Sequence, residues 1–240
     1  MALSVLFEGT VAKHAESPDD NEDAYRLAPE KGRLVLSDGA SESFDARNWA
    51  RLLVDRMIDE DLSVGAVLAC AQAYEELHDP SELSWSKAAA YQRGSFATLL
   101  MVQDLPNSNS IRISSVGDSL AIWVDGDDLV ASAPYENSTQ FQEKPSLLST
   151  RLDLNDFDEP HRMVREWGYE ALGHRFLLCM TDALGAWLLS HQERGDRSAL
   201  EALLSIREPR ELIDLVAGER AAGRMRRDDS TLIIVSVTKS

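Results

Sequence analysis

The residues of this chain best suited to chemistry are acids that stand at the ends of short apolar segments. The clearest case is the segment RLVLSDG at 33–39, where three apolar residues predict a buried strand that leads into Asp38 and Gly39. A buried acid is costly unless it is paired or binds a metal ion. Glycine allows a sharp turn that brings its own carbonyl close to whatever the carboxylate binds. Most Asp-Gly pairs after a strand are plain turns, so the inference depends on repetition of the pattern.

An acid beside an apolar run recurs in four further segments. They are RFLLCMTD at 175–182 with Asp182, IRISSVGDS at 111–119 with Asp118, DDSTLIIVSV at 228–237 with Asp228, and NEDA at 21–24 with Asp23. Antiparallel neighbours run in opposite directions, so acids that end some strands and begin others can converge at one edge. Five converging carboxylates cannot all ionise without cations. A set of oxygen ligands with no His or Cys nearby in sequence favours Mg²⁺ or Mn²⁺ over Zn²⁺ or Cu.

The elements that must position these acids are strands and amphipathic helices. Strands are predicted at 3–11, 24–27, 33–37, 95–102, 111–116, 120–124, 129–131, 162–166, 174–181 and 231–238, and helices at 44–59, 63–79, 84–93, 183–192, 197–205 and 209–220. The polar, irregular stretch 134–158 is predicted to be a long surface loop. Helices of this kind cover the faces of sheets. At this length we expect one domain over residues 1–240.

Composition and charge exclude several classes of function. A formal net charge of −17 argues against nucleic acids and anionic membranes as partners. Cys70 and Cys179 lie in a predicted helix and a predicted strand, which favours buried, reduced thiols over a disulfide. No apolar run approaches the ~20 residues that span a bilayer, and Met1–Phe7 is too short and lacks the basic start of a signal sequence. We therefore expect a cytoplasmic monomer.

Six segments, in order, carry a resemblance to a known family. They are NEDA, LVLSDG, GSFATLLMV, VGDSLAIW, LLCMTDAL and DDSTLIIV, spread over roughly residues 5–237. Their order and spacing resemble the motifs of the PP2C (PPM) metal-dependent Ser/Thr protein phosphatases. The resemblance implies an α+β fold, a four-layer αββα sandwich with two central antiparallel sheets flanked by helices. It also implies a site for two Mg²⁺ or Mn²⁺ ions, or three, at one end of the sheets.

The resemblance also assigns roles to the acids. It implies that Asp38 bridges two metal ions, with the Gly39 carbonyl on one of them, and that Asp182 and Asp228 complete the first. Asp23 would ligate an ion or bind its water, as a catalytic residue. In bacterial members of the family, the residue that corresponds to Asp118 binds a third ion together with the one that corresponds to Asp182.

The implied reaction is hydrolysis of phosphoserine or phosphothreonine in a protein by a hydroxide that bridges the two ions. The implied partners are a phosphorylated protein and a cognate Ser/Thr kinase. Asp229 stands where the family usually has asparagine, and we expect it to be a solvated turn acid.

Departures from the family pattern affect the substrate side of the site. Pro18 stands where the family usually has the arginine that binds the substrate phosphate, and Leu120 replaces another arginine. Residues 40–42, Ala-Ser-Glu, replace a glycine-containing sequence, and Ala183 replaces a glycine. The metal ligands are intact, but the usual phosphate clamp is absent.

Two basic groups are candidates to replace this clamp. Lys13 and His14 are the nearest, and His14 would also protonate the leaving oxygen as a catalytic acid, because a histidine pKa near ~6.5 suits that role. The other group is the cluster of Arg220, Arg224, Arg226 and Arg227. The plainer interpretations are an exposed polar loop and a solvated helix end. The alternative function is a pseudophosphatase, a relative that keeps the fold as a binding or regulatory module without turnover.

Overall fold

The computed structural model describes residues 2–157, 162–169 and 175–238, which form two five-stranded sheets and six α-helices. The strands are β1 (Ala2–Val11), β2 (Ala24–Ala28), β3 (Arg33–Ser37), β4 (Phe96–Ala97), β5 (Leu99–Leu105), β6 (Ser110–Val116), β7 (Leu120–Asp125), β8 (Asp128–Ala133), β9 (Leu148–Ser149), β10 (Met163–Gly168), β11 (Arg175–Met180) and β12 (Ser230–Thr238). The helices are α1 (Ala46–Met57), α2 (Val64–Glu76), α3 (Trp85–Arg93), α4 (Asp182–Glu193), α5 (Ser198–Ser205) and α6 (Pro209–Ala221).

Both large sheets are antiparallel throughout. The first has the strand order β1-β12-β11-β7-β8 and the second β10-β6-β5-β3-β2, while β4 and β9 form a separate short pair. The predicted α+β class is therefore confirmed. Each predicted helix is present, with boundaries that differ by a few residues.

The alternation of side chains along the central strands produces the layers. In β11, Leu177 and Cys179 pack into the core between the two sheets, whereas Leu178 and Met180 pack on the other face beneath α4–α6. Strands buried on both faces are expected to be apolar at almost every position. The second sheet is covered on its outer face by α1 and α2, whose Trp49 and Tyr74 are fully buried. The order of layers is helices, sheet, sheet, helices, as the resemblance implies.

The register of the strands brings one end of both sheets to the same place. In the second sheet the start of β2 pairs with the end of β3, through Ala24 and Ser37. In the first sheet the end of β11 pairs with the start of β12, through Met180 and Leu232. The candidate acids precede or follow these strand ends, so the pairing gathers them at one end of the sandwich.

The stretch 134–157 is only partly the surface loop that we predicted. Phe141 and Leu148 are buried, and the indole Nε1 of Trp49 donates to the carbonyl of Leu148 at 2.8 Å. Leu148–Ser149 forms β9 and pairs with β4. The few apolar residues of a polar stretch therefore anchor it to α1, which a composition argument does not detect. Residues 158–161 and His174 lie outside the described residues.

No helix in the described part of the chain is long and apolar enough to cross a membrane.

Candidate metal-binding active site

The Asp38-Gly39 turn is fixed by backbone contacts to the neighbouring strands. The Asp38 amide donates to Thr98 Oγ1 at 2.9 Å, and the Thr98 amide donates to the Asp38 carbonyl at 2.8 Å. Thr98 separates β4 from β5, which we predicted as one strand. A Cβ on Gly39 would lie 2.9 Å from the backbone carbonyl of Ala46. Glycine is therefore required where the turn packs against the first residue of α1.

Asp23 connects the two sheets. It precedes β2 in the second sheet, and its Oδ2 accepts hydrogen bonds from two threonines of the first. These are Thr231 Oγ1 in β12, at 2.6 Å, and Thr181 Oγ1 just after β11, at 3.1 Å. Its Oδ1 is buried without a partner. Burial, with the nearby charges of Asp229 and Asp228, raises the pKa of Asp23 to about 7, although the two hydroxyls lower it.

Asp38 and Asp118 share the same electrostatic environment. Burial raises the pKa of Asp38 well above its ordinary value, and the charges of Asp23, Asp118 and Asp228 raise it further. Asp118 is buried where the chain crosses from β6 to β7, and burial also raises its pKa. Three of the other four acids thus act on the pKa of Asp38, as expected if the strand ends bring the carboxylates together.

Asp182 and Asp228 share one cation, Arg226. The Arg226 guanidinium contacts the Asp182 carboxylate, and its Nη2 lies 3.5 Å from Asp228 Oδ2. Asp182 opens α4, is nearly buried, and has an Oδ1 without a hydrogen-bond partner. The positive charge of Arg226 lowers the pKa of both Asp38 and Asp118. Sequence reasoning included this arginine only as one of four.

Our expectation for Asp229 was wrong. The residue is 3% exposed, and its two oxygens accept the backbone amides of Lys13 at 2.7 Å and Glu22 at 2.8 Å. The Asp229 carboxylate thus attaches two remote segments, one after β1 and one before β2, to the start of β12. A buried charge that accepts two amides is a structural connection, which the position beside Asp228 did not reveal.

Replacing Asp229 by alanine is expected to destabilise the protein by about 2–4 kcal/mol, because both amides lose a charged acceptor. Asp229→Asn is the matched control, since it keeps one acceptor oxygen and should cost less. Both variants remove the charge, so the difference between them reports the side-chain amide that asparagine keeps, with its one acceptor oxygen. Urea unfolding in EDTA measures both. Equal midpoints for the alanine and asparagine variants would contradict this role.

The structure places Lys13, but not His14, against the site. Lys13 Nζ donates to Ser41 Oγ at 2.7 Å and lies 3.5 Å from Glu22 Oε2, next to the loop after Gly39. His14 is exposed, and its Nδ1 lies 3.8 Å from Glu16 Oε1. In the described part of the chain no contact joins His14 to the five acids, and its catalytic role stays a prediction. Pro18 begins a short 3₁₀ turn.

The other arginines of the cluster have separate roles. Arg220 donates to the carbonyls of Ala12 and Asp228 and so fixes the backbone beside the site. Arg224 pairs with Glu219 at 2.8 Å. Arg227 is exposed, and its side chain makes no hydrogen bond or ion pair to the described residues. Among the described residues of this cluster, Arg226 alone contacts the carboxylates of candidate metal ligands.

The donor set fits a hard divalent cation, although the acids are not arranged around one. Within residues 2–157, 162–169 and 175–238, no three His, Cys, Asp or Glu side chains form a ready-made metal-binding group. Arg226 stands between Asp182 and Asp228, and the remaining acids repel one another. The Oδ1 atoms of Asp23 and Asp182 are nevertheless buried and accept no hydrogen bond, so they are oxygen atoms suited to bind a metal ion. Oxygen ligands alone are the chemistry that Mg²⁺ and Mn²⁺ prefer.

Comparison with solved structures identifies the fold. The chain superimposes on the serine/threonine phosphatase Stp1 from Staphylococcus aureus with a TM-score of 0.60 and 18% identity, over 100% of this chain and 98% of that one. It superimposes on the Mycobacterium tuberculosis serine/threonine phosphatase PstP/Ppp with a TM-score of 0.59 and 16% identity, over 98% of this chain and 100% of that one. These are PP2C-type phosphatases. The chain has the PP2C fold.

The same PP2C fold is seen in PppA, described as a key regulatory component of the T6SS in Pseudomonas aeruginosa, with a TM-score of 0.58, 20% identity, and 98% and 99% of the two chains covered. Comparison with family sequence models gives no match, and neither does comparison with curated protein sequences. At these identities the likeness establishes the fold. The chemistry must be argued from the acids themselves.

Proposed function

We propose that this chain is a Mg²⁺- or Mn²⁺-dependent phosphatase that hydrolyses phosphoserine and phosphothreonine in proteins. The observation that carries the proposal is the set of five acids at one end of the two sheets, with two buried carboxylate oxygens left without partners. A fold maintained only for packing has no use for mutually repelling buried carboxylates, since each costs stability.

The metal ligands that we propose are Asp23, Asp38, the Gly39 carbonyl, Asp118, Asp182 and Asp228. When bound, two divalent cations would supply a water of lowered pKa and positive charge opposite the phosphoryl oxygens. The hydroxyls of Thr181 and Thr231 orient Asp23 through its Oδ2 and leave its Oδ1 free to face a ligand. The hydroxyl of Thr98 fixes the turn at Asp38 by accepting the backbone amide of that residue.

Arg226 is the residue that we propose binds the substrate phosphate. It already contacts Asp182 and Asp228, so release from these acids on metal binding would leave its guanidinium beside the reacting phosphate. Arginine suits this role because its planar group binds phosphate oxygens in pairs. A role for His14 requires the loop from residue 12 to residue 21 to rearrange, since its observed ion pair is with Glu16.

A mechanism through cysteine is not supported by the site. Cys179 lies two residues before Thr181 but is fully buried between the sheets, and burial raises the pKa of its thiol. Thiol nucleophiles need an exposed, electropositive environment that favours the thiolate. Cys70 is also buried, and burial raises its pKa to about 11.

The test of this proposal is hydrolysis of a small aryl phosphate. We expect activity that requires Mn²⁺ or Mg²⁺, disappears in EDTA, and survives treatment with a thiol-alkylating reagent. Retained activity in EDTA would contradict a metal-dependent mechanism. Loss of activity on alkylation, with the circular dichroism spectrum unchanged, would instead favour a cysteine nucleophile.

One observation favours the second candidate, a pseudophosphatase that acts as a binding module. Arg226 neutralises two of the proposed metal ligands from within the chain, and Pro18 leaves the site without an arginine at the usual position. This candidate predicts that the folded protein binds Mn²⁺ weakly or not at all and hydrolyses neither an aryl phosphate nor a phosphopeptide.

A further inference from the structure

A groove of about 810 Å³ opens beside the loop that follows Asp38 and Gly39. Residues 40–43 of that loop line it, together with the end of α3 and parts of the segment 144–154. The segment contributes Pro145 and Leu147, and Phe96 of β4 also lines the groove. The groove therefore combines apolar and polar side chains and lies beside the loop that follows Asp38.

The charges of this groove are opposite to those of the whole protein. Arg93, Lys144 and Arg151 line it, with Glu42 as the acid among the lining residues. Arg151 is already occupied, since its Nη2 lies 3.0 Å from Asp153 Oδ2 and its Nη1 donates to the Gln92 carbonyl at 2.9 Å. Arg93 and Lys144 are exposed and make no ion pair or hydrogen bond to described residues. Two unpaired cations thus face one groove in a chain of net charge −17.

The groove is close enough to the acid cluster to be reached by one extended peptide. Ala40 and Ser43 are two and five residues from Asp38, a distance of at most ~18 Å along a fully extended chain. The loop between them is held in place, because the Ala40 amide donates to the Phe96 carbonyl at 2.9 Å and Ser41 accepts from Lys13 Nζ at 2.7 Å. A peptide whose phosphorylated residue enters the acid cluster would place residues up to about five positions away in the groove.

We propose that this groove binds an acidic segment that flanks the phosphorylated residue of the substrate protein. Arg93 and Lys144 contact its carboxylates, and Phe96 and Leu147 pack against its apolar side chains. Opposite charge at the groove compensates for the repulsion that an acidic substrate meets from the rest of the protein. This proposal rests on the proposed phosphatase function, whose substrate it specifies.

The test compares three phosphoserine peptides of equal length, with acidic, amide or basic residues around the same phosphorylated serine. With Mn²⁺ present, we expect the acidic peptide to have a KM about 2- to 20-fold below that of the amide peptide, as two exposed ion pairs can provide. The preference should weaken as NaCl rises from ~50 mM to ~500 mM, because exposed pairs are screened. A lower KM for the basic peptide, or equal KM values for the acidic and amide peptides, would overturn the proposal.

A charge-matched pair of double variants locates the effect. Arg93→Glu with Lys144→Glu should abolish the preference, whereas Arg194→Glu with Arg210→Glu, both exposed and outside the groove, changes net charge equally and should retain it. Hydrolysis of an aryl phosphate should be unchanged in both. If both double variants lose the preference for the acidic peptide, the net charge of the protein causes that preference, and the groove proposal is contradicted.

A further experiment distinguishes failure of the groove proposal from failure of the proposed phosphatase function. Fluorescence anisotropy of the labelled, unphosphorylated acidic peptide reports binding in EDTA without turnover. If wild type hydrolyses no aryl phosphate, the proposed function fails, and anisotropy alone then decides the groove. If the Arg93→Glu, Lys144→Glu variant no longer binds the peptide, the groove proposal is supported whether or not the protein is a phosphatase. If this variant still binds the peptide, the groove proposal is overturned.

Discussion

In EDTA at pH 8, the Asp38→Asn variant is expected to melt at a higher temperature than wild type, and Mn²⁺ is expected to stabilise wild type alone. The buried Asp38 carboxylate is repelled by Asp23, Asp118 and Asp228, so its neutral replacement relieves the metal-free protein. Mn²⁺ at ~100 times its dissociation constant should add roughly 2.7 kcal/mol to wild type, or a shift of roughly 5–10 °C. The measurement is the melting temperature of both proteins, with and without Mn²⁺.

Burial, together with the same repulsion, determines the direction of the pH dependence. The folded-state pKa of Asp23 is raised to about 7, from 3.8, and that of Asp38 is raised as well. Between about pH 4 and 7 the folded protein therefore binds more protons than the unfolded chain, so metal-free stability rises as the pH falls from 8 to 5. Asp38→Asn should flatten this profile.

Asp127→Asn is the matched control for Asp38→Asn, because Asp127 is an exposed turn acid. It should behave as wild type in EDTA and in Mn²⁺. If wild type melts identically in both solutions, the acids do not form a metal site. If Asp38→Asn melts below wild type in EDTA, repulsion is not the main contribution of this carboxylate.

Arg226→Gln is expected to change two affinities in opposite directions. Without a guanidinium at Asp182 and Asp228, Mn²⁺ should bind about two- to fivefold more tightly, since it no longer displaces an ion pair. Phosphate should bind more weakly, because a charge-assisted hydrogen bond is worth about 1.5–3 kcal/mol, or about 10- to 150-fold in the dissociation constant. Calorimetric titration with Mn²⁺ and inorganic phosphate measures both effects independently of turnover.

Arg227→Gln and His14→Ala complete this experiment. Arg227 is the neighbouring arginine whose side chain makes no hydrogen bond or ion pair to the described residues, and its replacement should leave both affinities unchanged. His14→Ala tests the competing assignment, in which turnover falls ~10²–10⁴-fold through loss of a general acid. Unchanged Mn²⁺ and phosphate affinity in Arg226→Gln would show that the ion pair at Asp182 has no functional role.

Most of the fold was predictable because the signals are local and repeated. Central strands such as β11 are apolar on both faces, which predicts cover on both, and Ser63 marks the start of α2, where its hydroxyl accepts the Ala66 amide at 3.1 Å. The stretch 134–157 was harder, because Leu148 and Phe141 are isolated apolar residues whose burial depends on packing partners remote in sequence.

The candidate site was predictable in its acids but not in their surroundings. The convergence of Asp23 and Asp38 follows from antiparallel pairing, which the sequence pattern supports. The contact of Arg226 with Asp182 joins the chain before β12 to the start of α4, and no local pattern encodes it. The threonines that orient Asp23 left a signal that we did not use, since Thr181 directly precedes Asp182 and Thr231 closely follows Asp228.

The most direct test of the metal site is anomalous X-ray scattering from crystals grown with Mn²⁺. The proposed function predicts at least two manganese peaks within bonding distance of Asp38, with Asp182 and Asp228 as ligands of one of them and Arg226 withdrawn from both acids. Data collected on both sides of the manganese absorption edge distinguish these peaks from other ions. Absence of any manganese peak at Asp38 in saturating Mn²⁺, with Arg226 still bound to Asp182, would contradict the proposed metal site.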